Sequence, residues 1–117
     1  MERIFILLPE FDKACKHIGI TDEIIREIEE YLCIHPESGS IIQGTGGIRK
    51  LRWALPGKGK SGGARIIYID FIIHKKIYFI TAYRKNDKEN LTKDDRNILK
   101  SLIAILEEEL SKKKDKS

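Results

Sequence analysis

The chain has 117 residues, 41% of them hydrophobic and 34% charged, which allows one domain with a real core and a heavily ionised surface. Lys and Arg outnumber Asp and Glu by 22 to 18, no apolar run approaches the ~20 residues that span a bilayer, and the opening MERIFILLPEFDK lacks the long apolar stretch of a secretion signal. Cys15 and Cys33 form no CxxC pair, and His17, His35 and His74 have no HxxxH or Cys-His spacing, so the expectation is a cytoplasmic protein with reduced thiols, no structural metal and no membrane partner.

Residues 3–8 (RIFILL) predict a short strand, which Pro9 ends, and residues 10–18 a short helix broken by Gly19. Thr21 and Asp22 offer a cap for a second helix over 22–34. There Ile24, Ile25, Ile28 and Leu32 fall on one face and Glu23, Glu27, Glu29 and Glu30 on the other. Gly44, Gly46 and Gly47 punctuate a turn. Residues 48–55 alternate, with Leu51, Trp53 and Leu55 on a core face and Lys50 and Arg52 on a basic one. A glycine-rich loop, PGKGKSGG, covers 56–63. Residues 65–73 predict a strand with Ile67, Ile69, Phe71 and Ile73 on its apolar face and Tyr68 and Asp70 on the other. After a turn at His74 and Lys75, residues 76–83 predict the next strand. A final helix starts near Thr92, with Asp95 in capping-box position and a core stripe of Ile98, Leu99, Leu102, Ile103, Leu106 and Leu110. Short connections between successive strands favour antiparallel pairing. The expected fold is α+β: a small, twisted, mainly antiparallel sheet with two N-terminal helices and one C-terminal helix. Residues 1–111 form a single domain, and 112–117 (KKKDKS) a basic flexible tail.

Charge is unevenly distributed along this order. Residues 1–37 carry 4 cations and 9 acids, residues 38–86 carry 10 cations and one acid (Asp70), and residues 87–117 carry 8 of each. An ordinary solvated face intersperses both signs, so a middle segment this basic points to an anionic partner. Arg49, Lys50, Arg52, Lys58, Lys60 and Arg65 occur with no acid among them, and Arg84 and Lys85 close the next hairpin. Gly57, Gly59 and Gly62 fit GxGxxG, and Gly59-Lys60-Ser61 resembles the end of a P-loop. Both motifs need a helix to follow, and here a strand follows, so dinucleotide and nucleoside triphosphate binding are rejected. The glycines serve a phosphate differently, by letting backbone N–H groups approach it. Tyr68, Tyr78 and Tyr83, on neighbouring strands, are candidates for stacking on bases.

The cluster holds no histidine pair for ribonuclease chemistry. A lysine crowded by like charges loses proton affinity and can act as a base toward a ribose 2′-OH. An arginine keeps its proton and stabilises the phosphate as charge builds. A site of this kind needs its substrate prepositioned.

The segments GTGGIRKLRWALPGKGKSGGARIIYID and IYFITAYRKNDKENLTKDD closely resemble the HigB-like branch of the RelE/ParE toxin superfamily, over roughly residues 40–110. The resemblance implies the toxin of a type II toxin–antitoxin system, a metal-independent and cofactor-free endoribonuclease that cuts mRNA in the ribosomal A site and inhibits translation. It implies a cognate antitoxin, often with a helix-turn-helix domain, through which operator DNA is bound. Carried onto this sequence, it assigns Arg65 to phosphate stabilisation. Lys58 and Lys60 take general-base work or phosphate orientation, and Lys85 takes leaving-group or transition-state support. Arg49, Lys50, Arg52 and Arg84, with Tyr68 and Tyr83, are the expected RNA or ribosome contacts. The family tyrosine that follows the last basic residue falls near Leu91 here, leaving Tyr68 or Tyr83 as stand-ins. Two alternatives remain: a ParE-like toxin that poisons gyrase by protein contact, and a non-catalytic RNA-binding homologue.

Overall fold

The structure, a computed structural model, describes residues 2–56, 63–88 and 90–115. In chain order it runs β1 (Ile4–Leu7), α1 (Pro9–Ile18), α2 (Asp22–Ile34), β2 (Ser40–Ile41), β3 (Arg49–Trp53), β4 (Ala64–Phe71), β5 (Lys76–Arg84) and α3 (Lys93–Asp115). The five strands form one sheet in the order β1-β5-β4-β3-β2. Three of its pairings are antiparallel; β1 lies parallel to β5, with Ile4 opposite Lys76 and Leu7 opposite Phe79. The expected α+β architecture is present, with one more strand, the two-residue β2. That strand is held by a turn in which buried Thr45 donates its hydroxyl to the Ile42 carbonyl (2.7 Å) and accepts the Ile48 N–H (3.2 Å).

The N-terminal helices form where their local signals put them. Pro9 sits in the first turn of α1, where its missing N–H costs nothing. Gly19 closes α1 at φ 91°, a left-handed conformation that a side chain resists, and its N–H returns to the Cys15 carbonyl. Thr21 caps α2 by accepting the Ile24 N–H. Both helices cover one face of the sheet. Phe11, Cys15, Ile28 and Leu32 pack there against Leu51, Ile66, Tyr68 and Phe79, and Phe11 stacks on Phe79 with ring centroids 5.0 Å apart. Full burial of a ring like Phe11 contributes about 1.5–3 kcal/mol.

The opposite face is covered only in part. Leu99, Ile103 and Leu110 of α3 pack on Ile48, Ile67, Ile69, Tyr78 and Ile80. A reciprocal capping box starts α3: Asp95 N–H donates to the Thr92 hydroxyl and Thr92 N–H to the Asp95 carboxylate. Lys88 adds a 2.7 Å ion pair that ties the same carboxylate to the preceding turn. Ile98, expected in the core stripe, is 68% exposed, because the helix turns that position toward solvent. The helix also runs on to Asp115, so residues 112–115, expected in a flexible tail, are helical.

Helices α1 and α2 cover one face of β4 and α3 the other, so β4 residues of both parities are buried. Tyr68 therefore points into the α1/α2 core rather than out of it. The strand stops at Phe71; Ile72–His74 form a 3-10 turn in which Ile72 and Ile73 are exposed, so Ile73 does not extend the apolar face as its parity suggested. Asp70, the one acid of the basic segment, is held by a two-point pair with Arg3 (2.8 and 3.1 Å) in which both side chains are buried. Its charge is thus answered away from the basic cluster.

Candidate functional site

The pairing register assembles the site. Arg52 of β3 stands opposite Arg65 of β4, and Arg65 opposite Tyr83 of β5. The next row is Lys50, Ile67 and Thr81. Side chains directly opposite share a face, so Lys50, Arg52, Arg65 and Tyr83 occupy the face that α3 covers farther along. The alternation that set Lys50 and Arg52 apart from Leu51 holds in the fold.

Hydrogen bonding brings the two arginines close. Lys85 N–H donates to the Gly63 carbonyl (3.1 Å), which makes 63/85 a bonded pair; by alternation Arg65/Tyr83 is bonded too. Arg65 then directs its main-chain groups toward β5, and Arg52/Arg65 becomes a non-bonded pair with Cα atoms about 4.5 Å apart, the spacing at which side chains meet most closely. Like charges directly opposite destabilise a sheet. No salt bridge of the described residues answers either arginine. Among the described residues, the one side-chain hydrogen bond of Arg65 is a weak 3.3 Å contact with the Ala64 carbonyl.

Tyr83 completes the row with a buried hydroxyl that has no hydrogen-bond partner among the described residues. Burial holds its phenol above the usual range, against the pull of Arg65 and with a push from Asp95. It therefore keeps its proton and remains a donor. Lys85 is exposed at the end of β5, and its bond to Gly63 places it beside the start of β4. Lys58 and Lys60, the expected base or phosphate-orienting pair, lie outside the described residues.

Other expected contacts are engaged in the fold. Tyr68 is fully buried: its hydroxyl donates to the Pro36 carbonyl (2.8 Å) and accepts the Gly39 N–H (3.0 Å), so it has no ring face to offer a base. Tyr78 is buried too, edge-on to Phe71. Arg49 donates to the Glu37 and Gly39 carbonyls and clamps the segment after α2. Arg84, opposite Ala64, lies on the α1 side of the sheet and donates to the Ile18 carbonyl at the end of α1 (2.9 Å). Both are structural cations in this arrangement. Trp53, expected in the core, is half-buried at its rim, in edge contact with Tyr31. Alternation along β3 was readable in the sequence; which arginine stands opposite which was not, because register depends on the partner strand.

Cys15 is buried and its thiol is pushed up to about 12, chiefly by burial, so it is inert as a nucleophile. Among the described residues no group of three or more His, Cys, Asp or Glu side chains could hold a metal ion, and no helix is long and apolar enough to cross a membrane.

The fold has counterparts among known proteins. A free-state structure of a mutant of the E. coli toxin RelE superposes with a TM-score of 0.50 at 14% identity, covering 76% of this chain and 90% of that one, which establishes a common fold. The family model described as the RelE toxin of the RelE/RelB toxin–antitoxin system matches residues 3–116. That match takes in the whole sheet, all three helices and the arginine row, and on it the chain belongs to the RelE toxin family.

Proposed function

We propose that the protein is a HigB-like, ribosome-dependent and metal-independent mRNA endoribonuclease that arrests translation in the cytoplasm. One observation carries the reading: Arg52 and Arg65 stand side by side on an exposed part of the sheet, and the segment's one acid is bound elsewhere by Arg3. Two unanswered guanidinium groups at this spacing are costly without an anion and favourable with one, and Arg–phosphate hydrogen bonding is strong and directional.

In the proposed reaction the ribose 2′-OH attacks the adjacent phosphorus and gives up its proton to a base, Lys58 or Lys60. The P–O5′ bond breaks, leaving a 2′,3′-cyclic phosphate, and the 5′-oxygen takes a proton, with Lys85 at the leaving side. Arg65 binds the phosphoryl oxygens, and its fixed charge stabilises the crowded transition state. Tyr83 supplies the neighbouring hydrogen-bond donor, which suits a group held protonated by burial. Lys50 and Arg52 carry the RNA backbone away from the cut. The ribosome supplies the substrate geometry that so small a domain does not. The antitoxin, with a helix-turn-helix domain, is the partner that neutralises the toxin and carries it to operator DNA.

The test is Arg65→Ala in cells and on reconstituted ribosomes with mRNA 5′ ends mapped. At equal protein level, cleavage should fall at least ~100-fold, the usual scale for losing a transition-state donor, with the circular dichroism spectrum unchanged. Full cleavage by the variant would sink the assignment. DNA damage without mRNA loss would point instead to gyrase poisoning.

A further inference from the structure

A pocket of about 420 Å³ opens at the outer edge of β3, lined by Tyr31, Ser38, Ser40, Lys50, Arg52 and Trp53. That volume is within the range of small-ligand sites. The two aromatic residues come from distant parts of the chain: Tyr31 from the end of α2, Trp53 from the end of β3. Their rings meet edge-to-face with centroids 5.5 Å apart. Tyr31 is fixed from below by a 2.8 Å hydrogen bond to the Ser38 hydroxyl and by ring contact with His35. It is nonetheless 37% exposed, and Arg52, whose side chain leaves β3 on the opposite face, is exposed at the same strand edge.

The backbone adds polar groups to this floor. Ile42 N–H bonds to the Ile48 carbonyl, and Ser40 pairs with Lys50. By alternation the main-chain groups of residues 48, 50 and 52 all face the β2 side. β2 pairs only with Arg49 and Lys50, so the Arg52 N–H and carbonyl face the pocket with no residue of β2 opposite them. The lining carries two cations and no acid.

We propose that this pocket binds one unpaired RNA nucleotide: the base against Tyr31 and Trp53, its polar edge on the Arg52 main chain, its phosphate on Lys50 and Arg52. The inference rests on the RNA-cleavage reading for its partner and extends it to a second, non-catalytic contact. The features favour a base over an added peptide strand. A strand needs several successive main-chain pairs, whereas β3 ends one residue after Arg52. Aromatic rings flanked by cations are the usual platform for single-stranded nucleic acid. Arg52 links the two sites, because its side chain also stands beside Arg65.

Trp53 is the chain's one tryptophan, so its emission reports on the pocket directly. Adding short single-stranded RNA to the full chain should quench it to saturation. Tyr31→Phe should keep the affinity, and Tyr31→Ala should lower it about fivefold or more, the range for losing one stacking ring. Tyr31→Leu, with a circular dichroism check, separates loss of stacking from loss of fold. Quenching should persist in Arg65→Ala, so failure of the cleavage reading and failure of this one are told apart. No quenching, equal affinity in Tyr31→Ala, equal quenching by an abasic strand, or quenching by an extended acidic peptide but not by RNA would each overturn the proposal. Photocrosslinking from position 31 in ribosomes with and without messenger identifies the source: crosslinks in both mark ribosomal RNA, and crosslinks that need messenger mark the mRNA. Crosslinks to no RNA in either would also overturn it.

Discussion

Arg52 and Arg65 repel each other across a strand pair, and among the described residues no salt bridge answers either of them. That tension is a stability cost held in reserve for an anion. Arg52→Ala should therefore stabilise the free protein by about 0.2–1 kcal/mol, read as a raised urea midpoint, while weakening its binding to ribosomes. A variant that lost stability would show that the pair is not strained. Tyr68 is the opposite case, a residue with every polar group satisfied. Gly39 approaches its ring so closely that a Cβ there would lie 2.8 Å from a ring carbon. Tyr68→Phe removes the acceptor of the buried Gly39 N–H and should cost about 1–3 kcal/mol in denaturant unfolding, with any surviving folded protein still cutting mRNA. Loss of cleavage in folded Tyr68→Phe would restore Tyr68 to the site. Neither residue's role was legible in isolation. Parity put Lys50 and Arg52 outside correctly, but helices pack on both faces of β4, and no local pattern distinguishes a buried tyrosine from an exposed one.

At the scale of elements, α3 hangs on its first turn. Asp95 accepts from Thr92 N–H, bonds the Thr92 hydroxyl through its own N–H, and pairs with Lys88. The Lys88 hydrogen bond first, and those from Thr92 next, hold its carboxyl down at about 2. A carboxyl depressed in the folded state contributes stability above its unfolded value near 4, and that contribution is lost as pH falls toward 2. Thermal melts between about pH 4 and pH 2 should fall less steeply for Asp95→Asn than for the wild type; parallel curves would show that the cap carries no linkage. The box was legible because it is written within four residues. Likewise α1 and α2 follow from Pro9, Gly19 and Thr21, whose signals act through their own backbone. The stripe of α3 was less legible. Ile98 has the right spacing for the core yet is 68% exposed, while Leu99 and Ile103 beside it are buried, and spacing alone does not say which edge of the stripe meets the sheet.

At the scale of the whole molecule, the sheet separates two kinds of surface. One face is closed by α1 and α2; the other is closed by α3 at one end and left basic at the other. If that basic end docks on RNA, each phosphate it neutralises releases counterions, and affinity for ribosomes should fall steeply between low and moderate salt, by at least about tenfold for a few contacts. Affinity that barely moved would place the docking surface elsewhere.

By itself the sequence determined the element types, the α+β class, the concentration of net positive charge in residues 38–86 and the outward parity of Lys50 and Arg52. All of these follow from neighbours along the chain, through hydrogen-bond periodicity, capping and composition. Tertiary structure decided which cations are free. Arg49 and Arg84 are spent on carbonyls of distant segments, Asp70 is claimed by Arg3 across the sheet, and Arg52 is set against Arg65 by strand register. It also brought Tyr31 to Trp53. Those outcomes depend on partners tens of residues away, and side-chain spacing along one strand carries no information about them.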